Sequence, residues 1–202
     1  MNVFNMCQTF CPETTPHFIG EKIGDGADGE VFNFIDNKVI KFSIIYQYDL
    51  DIHHIYSNIE KILLYLQSFQ PSTHARVYEY KYLGTCARKT VNGFQPYIFY
   101  YYVMEKLNKL SEDEKKIFHT ILSHEDKNII KDYSSKKIKE MLKGLSRGLD
   151  FDEKKVTFFC NNFRKTMVQH NDIHVRNIMK DALGNFKLID FDRCNLMENN
   201  NV

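Results

Sequence analysis

The sequence predicts an α+β fold. It comprises a five-stranded antiparallel sheet with one helix inserted between the third and fourth strands, then a mainly helical second half. Three observations carry this expectation. Short strand-like runs between residues 18 and 42 are broken by glycines and by Asp36-Asn37, a plausible turn. One long segment, Ile52 to Gln70, places Ile55, Ile59, Ile62, Leu63 and Leu66 at helical spacing. After residue 110 the apolar residues recur at helical rather than strand intervals.

Residues 1–16 hold Pro12 and Pro16 with little periodicity and read as a leader or strap. Phe18 to Ile23, Glu30 to Ile35 and Lys38 to Phe42 are the first three strands. The helix that follows stops at Pro71, which cannot continue it. Val77 to Leu83 and Pro96 to Met104 are the fourth and fifth strands, around a turn at Asn92-Gly93. Residues 105–110 look like a linker. Ser111 is a good N-cap with Glu114 three residues on, the pattern of a capping box. Helices are expected over about 112–122, 134–147 and 152–168. In the last of these, Val156, Phe159, Phe163 and Met167 share a face. Phe186 to Ile189 is a short strand after Gly184-Asn185, and no internal repeat is present.

The 202 residues suffice for one domain or two joined lobes, and 43% hydrophobic content suits a packed core rather than disorder. A net charge of +1, from 27 basic and 26 acidic residues, argues against a broad nucleic-acid face. Cys7, Cys11, Cys86, Cys160 and Cys194 are odd in number and widely spaced, which favours reduced thiols in a cytosol-like compartment. Cys7 and Cys11 lack a second Cys or His pair to complete a metal site. No apolar run reaches membrane-spanning length, and the N-terminus lacks a basic segment followed by an apolar core. Export by a route without such a signal is compatible with this pattern.

Gly24-Asp25-Gly26-Ala27-Asp28-Gly29-Glu30-Val31 fits G-x-G-x-x-G-x-V between two strands. A dinucleotide fingerprint would instead open a helix. Glycines let a backbone fold closely over phosphates, although a Gly-rich hairpin turn would look the same. Asp25 and Asp28 are mildly unfavourable beside phosphate. Lys41 lies among apolar strand residues ten positions after Val31, where an unpaired ammonium is costly to bury. Holding the α- and β-phosphates is its natural role, and Glu60 is its natural partner on the helix.

His170-Asn171-Asp172-Ile173-His174-Val175-Arg176-Asn177 is followed by Leu188-Ile189-Asp190-Phe191-Asp192. Two acidic residues and an Asn at this spacing are what Mg²⁺-dependent phosphoryl transfer requires. Asp172 is the candidate catalytic base, or the residue that orients the incoming hydroxyl. Asn177 would hold one Mg²⁺ through its side-chain oxygen, and Asp190 would bridge Mg²⁺ to the phosphates. His170 is expected to brace the loop, while His174 and Arg176 either contact the site or pair structurally.

Taken in chain order, the loop from Gly24 to Val31, Lys41, Glu60, the Asp172-to-Asn177 loop and Asp190 resemble the protein-kinase-like superfamily. The resemblance spans most of residues 18–195. It implies a bilobal fold with a leader (1–16), an N-lobe (17–104), a hinge (105–110) and a reduced C-lobe (111–202). It also implies ATP and Mg²⁺ as cofactors. Gly24, Gly26, Gly29, Val31 and Lys41 would bind the nucleotide. Met104, Glu105 and Leu107 resemble the gatekeeper and hinge, where backbone groups of about Glu105 and Leu107 would bond the adenine.

Several positions depart from the family pattern. Asn171 stands where the family has Arg, and Asp192 where it has Gly. No Ala-Pro-Glu segment or set of large C-terminal helices follows Asp190. The chain thus resembles minimal kinases injected into host cells by type III secretion of bacterial pathogens, and also truncated kinases of large DNA viruses. That resemblance implies transfer to Ser/Thr of a protein substrate in a host cytosol, some relatives needing a host activator. A pseudokinase-like binding module is the second reading. A small-molecule kinase for sugars, aminoglycosides or choline is the third, suggested by His174.

Overall fold

The computed structural model describes residues 2–16, 18–26, 28–46, 51–91, 93–123, 135–145, 148–163 and 165–197. The chain divides into two compact units. One holds Met1–Gln70 and Arg76–Lys106; the other holds Pro71–Ala75 and Leu107–Val202.

The first unit is built on a five-stranded, wholly antiparallel sheet. Its strands are β1 (Lys22–Asp25), β2 (Gly29–Phe34), β3 (Lys38–Tyr46), β4 (Val77–Thr90) and β5 (Gly93–Glu105), in the order β1-β2-β3-β5-β4. Helix α2 (Ile52–Phe69) lies between β3 and β4 in the chain, as the apolar stripe predicts. Asp51 caps it by accepting hydrogen bonds from the amides of His53 and His54. Ile59, Ile62, Leu63 and Leu66 form its buried face. Its ring contacts with the sheet run through Tyr56, which meets Tyr82 and Tyr100.

Within the expected leader or strap, residues 3–10 form helix α1 (Val3–Phe10). Asn2 caps it, and Val3, Met6 and Cys7 form its buried stripe. Only two turns are present, so the periodicity is too brief to stand out beside the prolines. Alternation along the strands divides the sheet's two faces. Phe32, Ile40, Phe42, Ile44, Phe99, Tyr101 and Val103 form one core with Val3, Met6, Cys7 and Cys11. Tyr100, on the other face, meets α2. With both faces covered, β3 and β5 are buried almost without interruption.

The strands also exceed their expected limits. β3 runs on to Tyr46, β4 to Thr90, and β5 begins at Gly93, while the first strand starts at Lys22 rather than Phe18. Asn92, the first residue of the expected turn, lies outside the described residues.

The second unit contains α3 (Glu112–Ser123), α4 (Ser135–Leu145) and α5 (Glu153–Phe163). Its short strands are β6 (Val168–His170), β7 (Ile178–Lys180), β8 (Phe186–Leu188) and β9 (Cys194–Leu196), paired as β6-β9 and β7-β8. The helix expected to reach residue 168 ends at Phe163. The Thr166 hydroxyl there donates to the Phe163 carbonyl, and β6 starts two residues later. Leu110, Ile117, Phe118, Leu142, Val156, Phe159, Phe186 and Leu188 make the core.

The capping box at α3 is present. The Ser111 amide donates to Glu114 at 2.7 Å, and the Glu114 amide donates to the Ser111 hydroxyl at 3.2 Å. Pro71–Ala75 joins this unit by strand-like bonds to β8. The Leu188 amide donates to Thr73 O and the Ala75 amide to Leu188 O, each at 2.8 Å. All five cysteines are thiols, and burial pushes that of Cys7 up to about 12. No helix among the described residues is long and apolar enough to cross a membrane.

Candidate functional site

In the first unit the glycine segment forms the β1–β2 hairpin. Gly24 stands opposite Val31 and Asp25 opposite Glu30, and the Gly26 amide donates to Gly29 O at 2.9 Å. The glycines are not equivalent. A Cβ on Gly29 would lie 2.7 Å from the Phe42 carbonyl oxygen and 2.8 Å from Lys41 Cε. Gly29 is therefore required by the close approach of the β3 backbone at Phe42, with the Lys41 stem beside it. A Cβ on Gly26 would meet nothing within 4 Å, and one on Gly24 would make only ordinary contact with Val31.

Lys41 sits in the middle of β3, opposite Val31 on one side and Tyr102 on the other. It is 8% exposed, and its ammonium lies 5.8 Å from the centre of the Tyr102 ring. Glu60 is half-buried on α2, which packs against β3. One turn earlier, the Tyr56 hydroxyl is buried with no hydrogen-bond partner among the described residues. Burial first, and the Glu60 charge second, raise its pKa. Met104 is buried opposite Val39 near the end of β5. Glu105 closes the sheet there: its amide donates to Arg76 O at 3.0 Å, and its carboxylate accepts from the Arg76 amide at 2.7 Å.

In the second unit three predicted residues come together. Asp172 follows β6, and Asn177 ends a 3-10 turn (Val175–Asn177) that leads into β7. The Asn177 side-chain amide donates to the Asp172 carbonyl at 2.9 Å. The Ile189 amide donates to Asn177 O, also at 2.9 Å, which draws the segment carrying Asp190 against the same loop. Asp190 itself is in the left-handed region, at φ 68° and ψ 77°. A non-glycine residue held there stores strain, a feature that gathers at functional sites. Leu107 is also in this unit, just before Asn108, whose backbone bonds Lys180.

His170 braces the cluster, as the sequence suggests. Its Nε2 is 2.9 Å from Ile189 O, and its Nδ1 accepts from the Asp172 amide at 3.3 Å, which together place the proton on Nε2. Burial lowers its pKa, while the charges of Asp190 and Asp172 act in the opposite direction. His174 Nε2 and Arg193 Nη1 flank the Asp172 carboxylate at 3.8 and 3.9 Å.

Arg193 and His74 were not singled out by the sequence. His74 is 1% exposed, its ring adjoins Phe191, and its Nε2 has no partner among the described residues. Only its place after the helix-ending proline hinted at a role.

No cluster of three or more His, Cys, Asp or Glu side chains fit to hold a metal exists among the described residues. Mg²⁺ in nucleotide sites needs less, because one or two protein oxygens and the phosphates complete its shell. Asn177 and Asp190 suit that pattern. Since the Asn177 nitrogen is taken by Asp172 O, its side-chain oxygen is the atom left to face a cation.

The architecture is that of a kinase-like fold. A solved structure of the ROP18 kinase domain in complex with AMP-PNP and sucrose superposes with a TM-score of 0.50 at 10% identity. The match covers 96% of this chain and 61% of that one, so the chain spans about three-fifths of that structure's length. No family model and no curated protein matches the sequence.

Proposed function

We propose that the protein transfers the γ-phosphoryl group of ATP, with Mg²⁺, to a Ser/Thr hydroxyl of a protein substrate. The observation that carries the reading is the convergence of Asp172, Asn177 and the strained Asp190 on one hydrogen-bonded loop. Lys41 and the glycine hairpin are the phosphate-binding candidates of the first unit. The open space at Gly26 also supports the reading, because no steric demand for a glycine there comes from the described residues. The ATP analogue in the ROP18 structure agrees with nucleotide binding. Protein acceptor, host setting and activator rest on motif order and on the resemblance alone.

In this mechanism Lys41 holds phosphate oxygens and Glu60 keeps its side chain in place. Asn177 and Asp190 would hold Mg²⁺, which when bound would neutralise charge on the phosphates. Asp172 orients the substrate hydroxyl and takes its proton as the oxygen attacks the γ-phosphorus and the bond to ADP breaks. Arg193 places positive charge beside Asp172, and the His174 ring lies against the same carboxylate.

The test is incubation with Mg²⁺ and γ-labelled ATP in a eukaryotic lysate. Label on protein, lost in Asp190→Ala and Asp172→Asn, is expected. Label on metabolites alone would replace the protein acceptor with a small molecule. Mg-ATP binding or partner capture without transfer would favour a binding module.

A further inference from the structure

Glu30 directly follows the last glycine of the loop and is 3% exposed on the α1 face of the sheet. A carboxylate at that depth is stable only when paired. One oxygen accepts the Phe4 amide at 2.8 Å, a first-turn N–H of α1 that has no acceptor within its helix. The other accepts the Lys22 ammonium at 2.7 Å. Lys22 reaches on to Asp25 at 3.5 Å, inside the glycine segment.

Apolar contacts reinforce the link. The Phe4 ring lies 5.1 Å from Phe32 and 4.9 Å from Phe42, and the Thr14 hydroxyl donates to Leu83 O at 3.0 Å. A chain of charge-assisted contacts thus runs from α1 through Glu30 and Lys22 to Asp25.

We infer that α1 positions the glycine loop, with Glu30 and Lys22 as positioning residues that set how firmly the nucleotide phosphates are held. The inference rests on the reading of this hairpin as the phosphate loop.

The test uses the full chain with Glu30→Gln, Lys22→Met, the double variant and Lys22→Arg. Amide exchange at Gly26 should quicken about tenfold in the first two. KM for Mg-ATP should rise with kcat little changed. The double variant should be no worse than Glu30→Gln alone, because both act through one relay. Lys22→Arg keeps the charge and should match the parent. Lys22→Met leaves the Glu30 carboxylate without its cation, so the double variant, which removes both charges, supplies the folded comparison if either single variant does not fold. Unchanged Gly26 exchange in Lys22→Met overturns the inference, as does an unmoved KM in an active protein. If the parent neither binds nor uses ATP, the proposed function falls, while the exchange measurement still decides whether α1 holds the loop.

Discussion

At Gly29 a single hydrogen stands where a Cβ would collide with Phe42 O and Lys41 Cε. Gly29→Ala must therefore shift β3 at Phe42, and it crowds the Lys41 stem as well. A loss of Mg-ATP affinity of about tenfold or more, with about 1–3 kcal/mol of stability, is expected by equilibrium binding and denaturant titration. Gly26→Ala meets no neighbour and should unfold like the parent, so a drop in ATP affinity there would report on the ligand. Asp190 offers the opposite contrast. Asp190→Gly suits the left-handed backbone but removes the carboxylate proposed to hold Mg²⁺. It should melt at or above the parent temperature while losing phosphoryl transfer, and a clear fall in melting temperature would show that contacts of the carboxylate outweigh the strain. The glycines and Asp190 were legible as motif members. Which glycine is sterically required was not, because the collision is with a strand whose path the loop sequence does not encode.

Among the elements, α3 shows how far local chemistry reaches. Ser111 and Glu114 announce its start in sequence, and the structure adds that Lys180 on β7 donates to Glu114 at 2.9 Å. The capping residue therefore also ties the helix to the hairpin that follows Asn177. Glu114→Ala should cost about 2 kcal/mol in urea unfolding, more than an exposed cap alone. A loss no larger than that of Lys180→Met would mean that the cap itself contributes little. Helix α1 marks the other limit. Two turns with one buried stripe give a weak periodic signal, and the residues that make it stable, Glu30, Phe32 and Phe42, lie more than twenty positions away. The strands were read too short for a related reason. Burial on both faces replaces the alternation by which a strand end is recognised.

Across the whole molecule, the buried histidines contribute to the response to acid, and Glu114 and Asp181, held against burial below the usual carboxylate range by their hydrogen bonds, add to it. Burial lowers the His74 pKa from 6.5 to about 3, with the nearby His170 acting in the same direction. His170 is also lowered. The unfolded chain takes up protons near pH 6.5 that the folded chain refuses. Stability should be full above that value and decline as pH falls toward 3. Denaturation midpoints across this range will check it, and His74→Phe, which cannot titrate, should flatten the slope. Sequence alone determined the order of the motifs, the helix between the third and fourth strands, and the residue types on which the proposed phosphoryl transfer rests. These depend on spacing and on neighbours a few positions apart. Tertiary structure decided what distant contacts decide: the docking of α1 on the sheet, the clearance of Lys41 past Gly29, and the joining of Pro71–Ala75 to β8. Each depends on groups that meet only after the chain has folded, so no local pattern records them.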